Sequence, residues 1–177
     1  MRFRRVRGTT DRWGPTCAQW YDVYQKLITL SRQNGYEEVV TPLLESKELF
    51  FSTIGKNTDI VEKQIFAFND KKGRSLALRP EGTAPIMRAL IESNRLATAI
   101  LPLKLFYWGP MFRYERPQQG RYRQFHQYGV EIISDHNSVW IDVELVRLGH
   151  EILKVLEVKN YVCQVNFLPT GADRVRY

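Results

Sequence analysis

The sequence predicts an α+β domain, and three observations carry that expectation. Leu103–Tyr114 and Arg123–Ile133 alternate in twos and are separated by a short basic turn, the pattern of an antiparallel hairpin. The stretches 16–34 and 138–156 repeat apolar residues at three and four and read as helices. Strand segments outnumber what a helical bundle needs, and most sequence neighbours are antiparallel, so sheet and helices belong to one mixed architecture. No internal repeat, low-complexity tract or linker divides the 177 residues, so one domain over 1–177 is expected. A chain of this length buries roughly 70% of its unfolded surface and needs no disulfides.

The elements follow in order. Pro15 and Thr16 open the first helix, with Thr16 and Gln19 at capping-box spacing; Cys17, Trp20, Tyr21, Tyr24, Leu27 and Ile28 form its apolar stripe, and Gly35 stops it. Tyr36–Thr41 reads as a strand ended by Pro42, and 43–54 as a short helix ended by Gly55. Gln64–Asn69 and Arg74–Arg79 form a hairpin around the charged turn Asp70–Gly73. The turn RPEGT, Arg79–Thr83, leads into a helix from Ala84 to Ser93 with Pro85 in its first turn. After the long hairpin comes the helix Ser138–Leu156, and then a strand expected over 161–168. The chain stops at Tyr177 without the final elements such a sheet needs, which reads as a truncation.

Composition narrows the function classes. A net charge of +7 favours an anionic partner, nucleotide or nucleic acid, through an attraction that salt weakens. Cys17 and Cys163 lie far apart without metal-ligand spacing and read as reduced thiols of a cytoplasmic protein. The N-terminus MRFRRVRG lacks the apolar core of a signal peptide, and the apolar stretch 96–112 is broken by Pro102, Lys104 and Pro110. His126, His136 and His150 are not at metal spacing and read as structural or exposed.

The long hairpin carries the functional signal. Parity puts Tyr107, Gly109, Met111, Arg113 and Glu115 on one face of its first strand, and Arg123, Phe125, Gln127, Gly129 and Glu131 on one face of its second. If the strands pair through Pro117–Gly120, that face gathers arginine, two carboxylates, an amide, an aromatic ring and two glycines, which no ordinary core face does. Phe106, Trp108, Phe112, Tyr114, Tyr128, Val130 and Ile132 supply the opposite, apolar face. One side is expected to be core and the other a site.

Five segments together carry a family resemblance: RGTTD, GYEEVVTPLLE, NTDIVEKQIFAFND, LALRPEGTAPIMRA and KLFYWGPMFRYERPQQGRYRQFHQYGVE. With them nearly the whole chain resembles the first half of the catalytic domain of the histidyl-tRNA synthetases, a class II aminoacyl-tRNA synthetase family whose domain is an antiparallel sheet flanked by helices. Residues 16–42 resemble motif 1, which in the family builds a homodimer interface. Residues 103–133 resemble motif 2.

The resemblance implies amino-acid activation, in which the histidine carboxylate attacks the α-phosphate of ATP, accompanied by Mg2+, and the acyl group then passes to tRNA(His). Arg113 matches the motif 2 arginine, whose planar fork holds a carboxylate oxygen and an α-phosphate oxygen together. Glu115 matches the acceptor of the adenine amino group and Phe125 the ring stacked on adenine. Arg121, Tyr122 and Arg123 match the loop that meets the ATP phosphates and the tRNA acceptor end. Glu81, Thr83 and Gln127 match positions around the histidine amino group, an ammonium that donates three hydrogen bonds. Glu131 matches the carboxylate that accepts the imidazole N–H. No self-contained metal site is expected.

The family pattern also implies what lies outside this chain: a second histidine-recognition block, motif 3 with its ATP-binding arginine, and the anticodon-binding domain. An electrostatic group of the kind supplied by the motif 3 arginine contributes about 2.7–4 kcal/mol, so the chain alone is expected to be a poor catalyst. Two further readings share the fold or charge: a histidine-binding regulatory paralogue of ATP phosphoribosyltransferase, and a dimerising RNA-binding fragment. The first has no need of Arg113, Glu115 and Phe125 together; the second predicts salt-sensitive RNA binding without histidine or ATP.

Overall fold

The computed structural model describes residues 3–53 and 64–166. Helix α1 (Gly14–Gln33) leads into strand β1 (Glu37–Glu38), β2 (Leu44–Ser46) and α2 (Lys47–Thr53). Then come β3 (Ala67–Asn69), β4 (Ser75–Leu78), α3 (Thr83–Glu92), the short α4 (Arg95–Thr98), β5 (Leu103–Phe112), β6 (Gln124–Ile133) and α5 (Val139–Val155). The described strands form two sheets, β1-β5-β6 and β2-β4-β3, antiparallel except where β1 runs parallel to β5. This is the mixed α+β fold with a sheet flanked by helices.

Local chemistry sets most boundaries. Helix α1 ends in a Schellman motif: Gly35 has φ +77°, its N–H donates to the Arg32 carbonyl, and the Tyr36 N–H donates to that of Ser31. Asp70 holds the β3-β4 turn by accepting from the N–H groups of Lys72 and Arg74. Ser138 caps α5 through the Trp140 N–H.

Several expectations are corrected. Helix α1 starts at Gly14 with Trp13 as N-cap and no side-chain cap, so Thr16 lies inside the first turn and its spacing from Gln19 is no capping box. The strand in 36–41 is short: Glu37 and Glu38 pair with β5, the Val39 N–H adds one bond to the Phe106 carbonyl, and the Thr41 carbonyl accepts from the Arg79 guanidinium. The helix expected over 43–54 is a strand followed by a shorter helix: Leu44–Ser46 pairs with Leu76–Leu78, a tertiary partner that local propensity does not reveal. Ile54 and Gly55 lie outside the described residues, as does the end of the strand expected over 161–168; its described part, 161–166, is not strand.

The long hairpin is core on both faces, which corrects the expectation of one core face. On the even face Phe106 packs with Ile28 of α1, Tyr36 and Leu148 of α5. On the odd face Leu103, Leu105, Tyr107 and Met111 pack against Ile86 and Leu90 of α3. The sheet is thus a middle layer between α1 and α5 on one side and α3 on the other. A third cluster, Phe50, Ala77 and Ala84, ties the small sheet to α3. No described helix is long and apolar enough to cross a membrane.

Space at two glycines yields opposite predictions. A Cβ on Gly109 would lie 2.2 Å from the Arg79 Nη2, whereas one on Gly149, inside α5, meets nothing within 4 Å. Gly109→Ala is expected to cost about 1–3 kcal/mol. Gly149→Ala is expected to add about 0.5–1 kcal/mol. Urea unfolding midpoints of the two variants check both signs.

Candidate active site

The register of β5 and β6 assembles the odd face: Leu105 lies opposite Glu131, Tyr107 opposite Gly129, Gly109 opposite Gln127 and Met111 opposite Phe125. One more backbone bond, Arg113 N–H to the Arg123 carbonyl, extends the pairing, and the Tyr114 N–H then turns to the Gln64 carbonyl. The loop closes through a bridge between Gln118 and Arg121. The Gly8 carbonyl accepts from the N–H groups of Arg123 and Gln124, laying the N-terminal segment along the hairpin.

The loop end of this face forms an open cleft of about 540 Å³ whose lining includes Gln64, Arg113, Glu115, Arg121, Tyr122 and Phe125. The Arg113 guanidinium stands 5.0 Å from the Phe125 ring centre, and its Nε donates to the Pro80 carbonyl at 3.0 Å. One donor fixes the side chain while the rest of the fork remains for an anion. Arg121 and Glu115 are 3.9 Å apart. Arg123 is elsewhere: it lies over Tyr114 at 4.6 Å and donates to the Glu115 carbonyl, so it buttresses the loop rather than lining the cleft.

The other predicted residues meet around Tyr107. Glu81 accepts from the N–H groups of Thr83 (2.6 Å) and Ala84 (3.0 Å), capping the start of α3 with both oxygens. The Thr83 hydroxyl donates to Glu131 at 2.6 Å. Gln127 Nε2 donates to the Tyr107 hydroxyl at 3.0 Å, while Gln127 Oε1 is buried with no partner. Two carboxylates and an unpaired amide oxygen make this corner an acceptor site, suited to a cationic, donor-rich group.

Burial and neighbouring charge shape its electrostatics. Burial foremost, then the Glu81 charge, raises the Glu131 carboxyl above its ordinary value against the pull of the Thr83 hydroxyl. Burial and the charges of Glu131 and Glu81 push Tyr107 up to about 12, so it stays a neutral phenol. His126 is lowered by burial and by the nearby Arg12 and Arg79, and its ring packs against Trp20 and Trp108, which also touch each other, on the even face. His136 contacts Asp135, and His150 contacts Tyr161. Among the described residues no group of three or more His, Cys, Asp or Glu could hold a metal ion.

Sequence reasoning gave no role to two residues that organise the site. Tyr107, 5% exposed, was placed on the correct face by parity; the signal for its importance lay in Gly82 and Gly129, which flank its ring. Arg79, 4% exposed, opens the RPEGT segment and donates to the Thr41 carbonyl and hydroxyl and to the Pro110 carbonyl.

Comparison with known proteins gives the family and the fold. The family described as "Histidyl-tRNA synthetase" matches residues 8–169. A histidine–tRNA ligase of Pseudothermotoga lettingae is 48% identical over 177 residues, covering 100% of this chain and 40% of that protein. One from Thermosipho africanus is 45% identical over 174 residues, 98% of this chain and 41% of its own length. The chain therefore spans about 40% of the length of the curated relatives it matches. The apo structure of Staphylococcus aureus histidyl-tRNA synthetase superposes with a TM-score of 0.75 at 34% identity, over 89% of this chain and 36% of that one. A Bacillus halodurans structure titled as an ATP phosphoribosyltransferase regulatory subunit/histidyl-tRNA synthetase gives 0.75 at 30% identity, over 90% of this chain and 39% of that one.

The raised carboxyl of Glu131 has a stability signature. A folded-state value above the unfolded one favours folding fully below the unfolded value, near pH 4, and that contribution is lost as pH rises through the folded value. Glu131→Gln keeps an acceptor for Thr83 without the charge. It is expected to raise the urea midpoint at pH 7 relative to the parent chain, with the gain vanishing toward pH 4.

Proposed function

The chain belongs to the histidyl-tRNA synthetase family, and we propose that its hairpin face is the histidine and ATP half-site of a histidine–tRNA ligase. The reaction proposed is activation of histidine: a carboxylate oxygen attacks the α-phosphorus of ATP, the bond to the bridging oxygen breaks, and pyrophosphate leaves with its electron pair. A ribose hydroxyl at the end of tRNA(His) then attacks the acyl carbon of histidyl-adenylate, the mixed anhydride bond breaks, and AMP leaves, a reaction proposed for the cytoplasm.

The observation that carries this reading is the buried, unpartnered Oε1 of Gln127, whose Nε2 donates to the Tyr107 hydroxyl, a group that also feels the charges of Glu131 and Glu81. A buried acceptor without a donor costs about 1–3 kcal/mol, and an ammonium group repays it with a charge-assisted bond. Glu131, sharing the Thr83 hydroxyl, is the acceptor for the imidazole N–H, and it discriminates against apolar side chains that would leave it unpaired. At the other end of the face the cleft at Phe125 receives adenine, with Glu115 accepting its amino group. Arg113 between them meets the α-phosphate and the attacking carboxylate, where negative charge builds in the transition state. Arg121 and Tyr122 meet the outer phosphates and the tRNA end, with Arg123 holding the loop in shape. Mg2+, brought in with ATP, would offset the charge of its phosphates.

A regulatory paralogue would use the histidine corner alone, so the joint presence of Arg113, Glu115 and Phe125 along one cleft supports the synthetase reading. Residues 16–42, motif 1 by resemblance, are proposed as a homodimer face; Tyr21 and Val40 are among its exposed apolar side chains.

Exchange of labelled pyrophosphate into ATP tests the proposal. Slow exchange that requires histidine, and falls by about 10²–10³-fold in Arg113→Ala, is the expected outcome. Exchange indifferent to histidine or to Arg113 would contradict it.

A further inference from the structure

The two ends of a glutamine amide are nearly the same size, so hydrogen bonding alone decides which end a ligand meets. At Gln127 the choice matters: Oε1 attracts an ammonium, and the NH2 group repels it. Among the described residues its side chain makes one hydrogen bond, the 3.0 Å bond from Nε2 to the Tyr107 hydroxyl. That bond alone is ambiguous, because a phenol can accept or donate. If Tyr107 donated, the amide would reverse.

The surroundings of Tyr107 remove the ambiguity. Its ring is held between two backbone strips, since a Cβ on Gly82 would fall 2.3 Å from Cε2 and one on Gly129 2.3 Å from Cζ. The hydroxyl therefore has little freedom to leave Gln127. Gly82, which meets the ring, precedes Thr83, and Gly129, opposite Tyr107, lies two residues from Glu131 on the same face, so the hydroxyl feels the charges of Glu131 and Glu81, with Arg79 as the opposing charge. A carboxylate only accepts, so Thr83 donates to Glu131 at 2.6 Å. The same negative field draws the phenolic proton toward the carboxylates and leaves the oxygen lone pair for Nε2.

We propose that Tyr107 is a positioning residue that transmits the charge of Glu131 to the Gln127 amide, fixing Oε1 as the end presented to the ligand's amino group. This rests on the histidine reading above and deepens it. The imidazole acceptor and the amino-group acceptor become one oriented chain, Gln127 to Tyr107 beside Thr83 and Glu131, so the two recognition points are set together.

The test uses Tyr107→Phe, which keeps the ring between the glycines, and Glu131→Gln, which keeps an acceptor but removes the charge. In 15N-labelled chain without ligand, the Gln127 side-chain amide, identified through Gln127→Leu, is expected to shift in both variants. Its proton exchange should accelerate by about tenfold or more in Tyr107→Phe. Calorimetry then compares histidine with imidazolepropionate, the same compound without the amino group. The preference for histidine should fall roughly tenfold in Tyr107→Phe while imidazolepropionate affinity holds. A Gln127 amide unmoved by Glu131→Gln, or equal losses for both ligands, would overturn the positioning role. If the parent chain binds neither ligand but both variants move the amide, the positioning role stands and the histidine reading fails.

Discussion

Pairing of β5 with β6 is the constraint on which the rest of the site depends. A slip of one residue would send every side chain to the opposite face, and both faces are committed. The even face must meet α1 and α5 through Phe106 and its neighbours, and the odd face must meet α3 through Tyr107 and Met111. Glycines reinforce the register. Gly109 admits the Arg79 guanidinium and Gly129 admits the Tyr107 ring, so any other register would put side chains where these groups lie.

The strip 79–83 is the second half of the device, and each of its residues ties it to another part of the site. Arg79 fastens Thr41 to Pro110, and its carbonyl accepts from the Phe112 N–H. Pro80 holds Arg113, Glu81 caps α3, Gly82 gives Tyr107 room, and Thr83 reaches Glu131. Burial lowers the Arg79 guanidinium from its ordinary value, and its recorded bonds go to neutral oxygens, an arrangement that costs desolvation and restores part of it through three hydrogen bonds. Glu131 likewise carries a charge the fold would rather not bury. Both residues trade stability for position, as expected where a site must be fixed before its ligand arrives.

The hairpin and its parity were legible because two strands of ten residues each, with alternate residues differing sharply in character, leave little choice of face. Parity likewise put Phe125, Gln127 and Glu131 on one face of β6, while the roles expected of them came from the resemblance. What escaped was non-local. Leu44–Ser46 is a strand only because Leu76–Leu78 lies beside it, and nothing within 43–54 encodes that neighbour. Arg79 and Tyr107 escaped because their importance lies in what other segments leave open for them, a glycine on β5 and two more on α3's lead-in and β6. The outward packing of Arg123 over Tyr114 was hidden because loop parity says nothing about which way a long side chain folds back.

The proposed function fixes a place, the odd face of the hairpin and the strip beside it, where histidine and ATP are proposed to bind. Hydrogen exchange read by mass spectrometry, with and without the two ligands, locates the contact without relying on turnover. The account predicts slowed exchange in 79–84, 107–115 and 121–131, with α5 unchanged. Protection absent from these segments, or strongest in the apolar groove between α5 and residues 161–163, would contradict it.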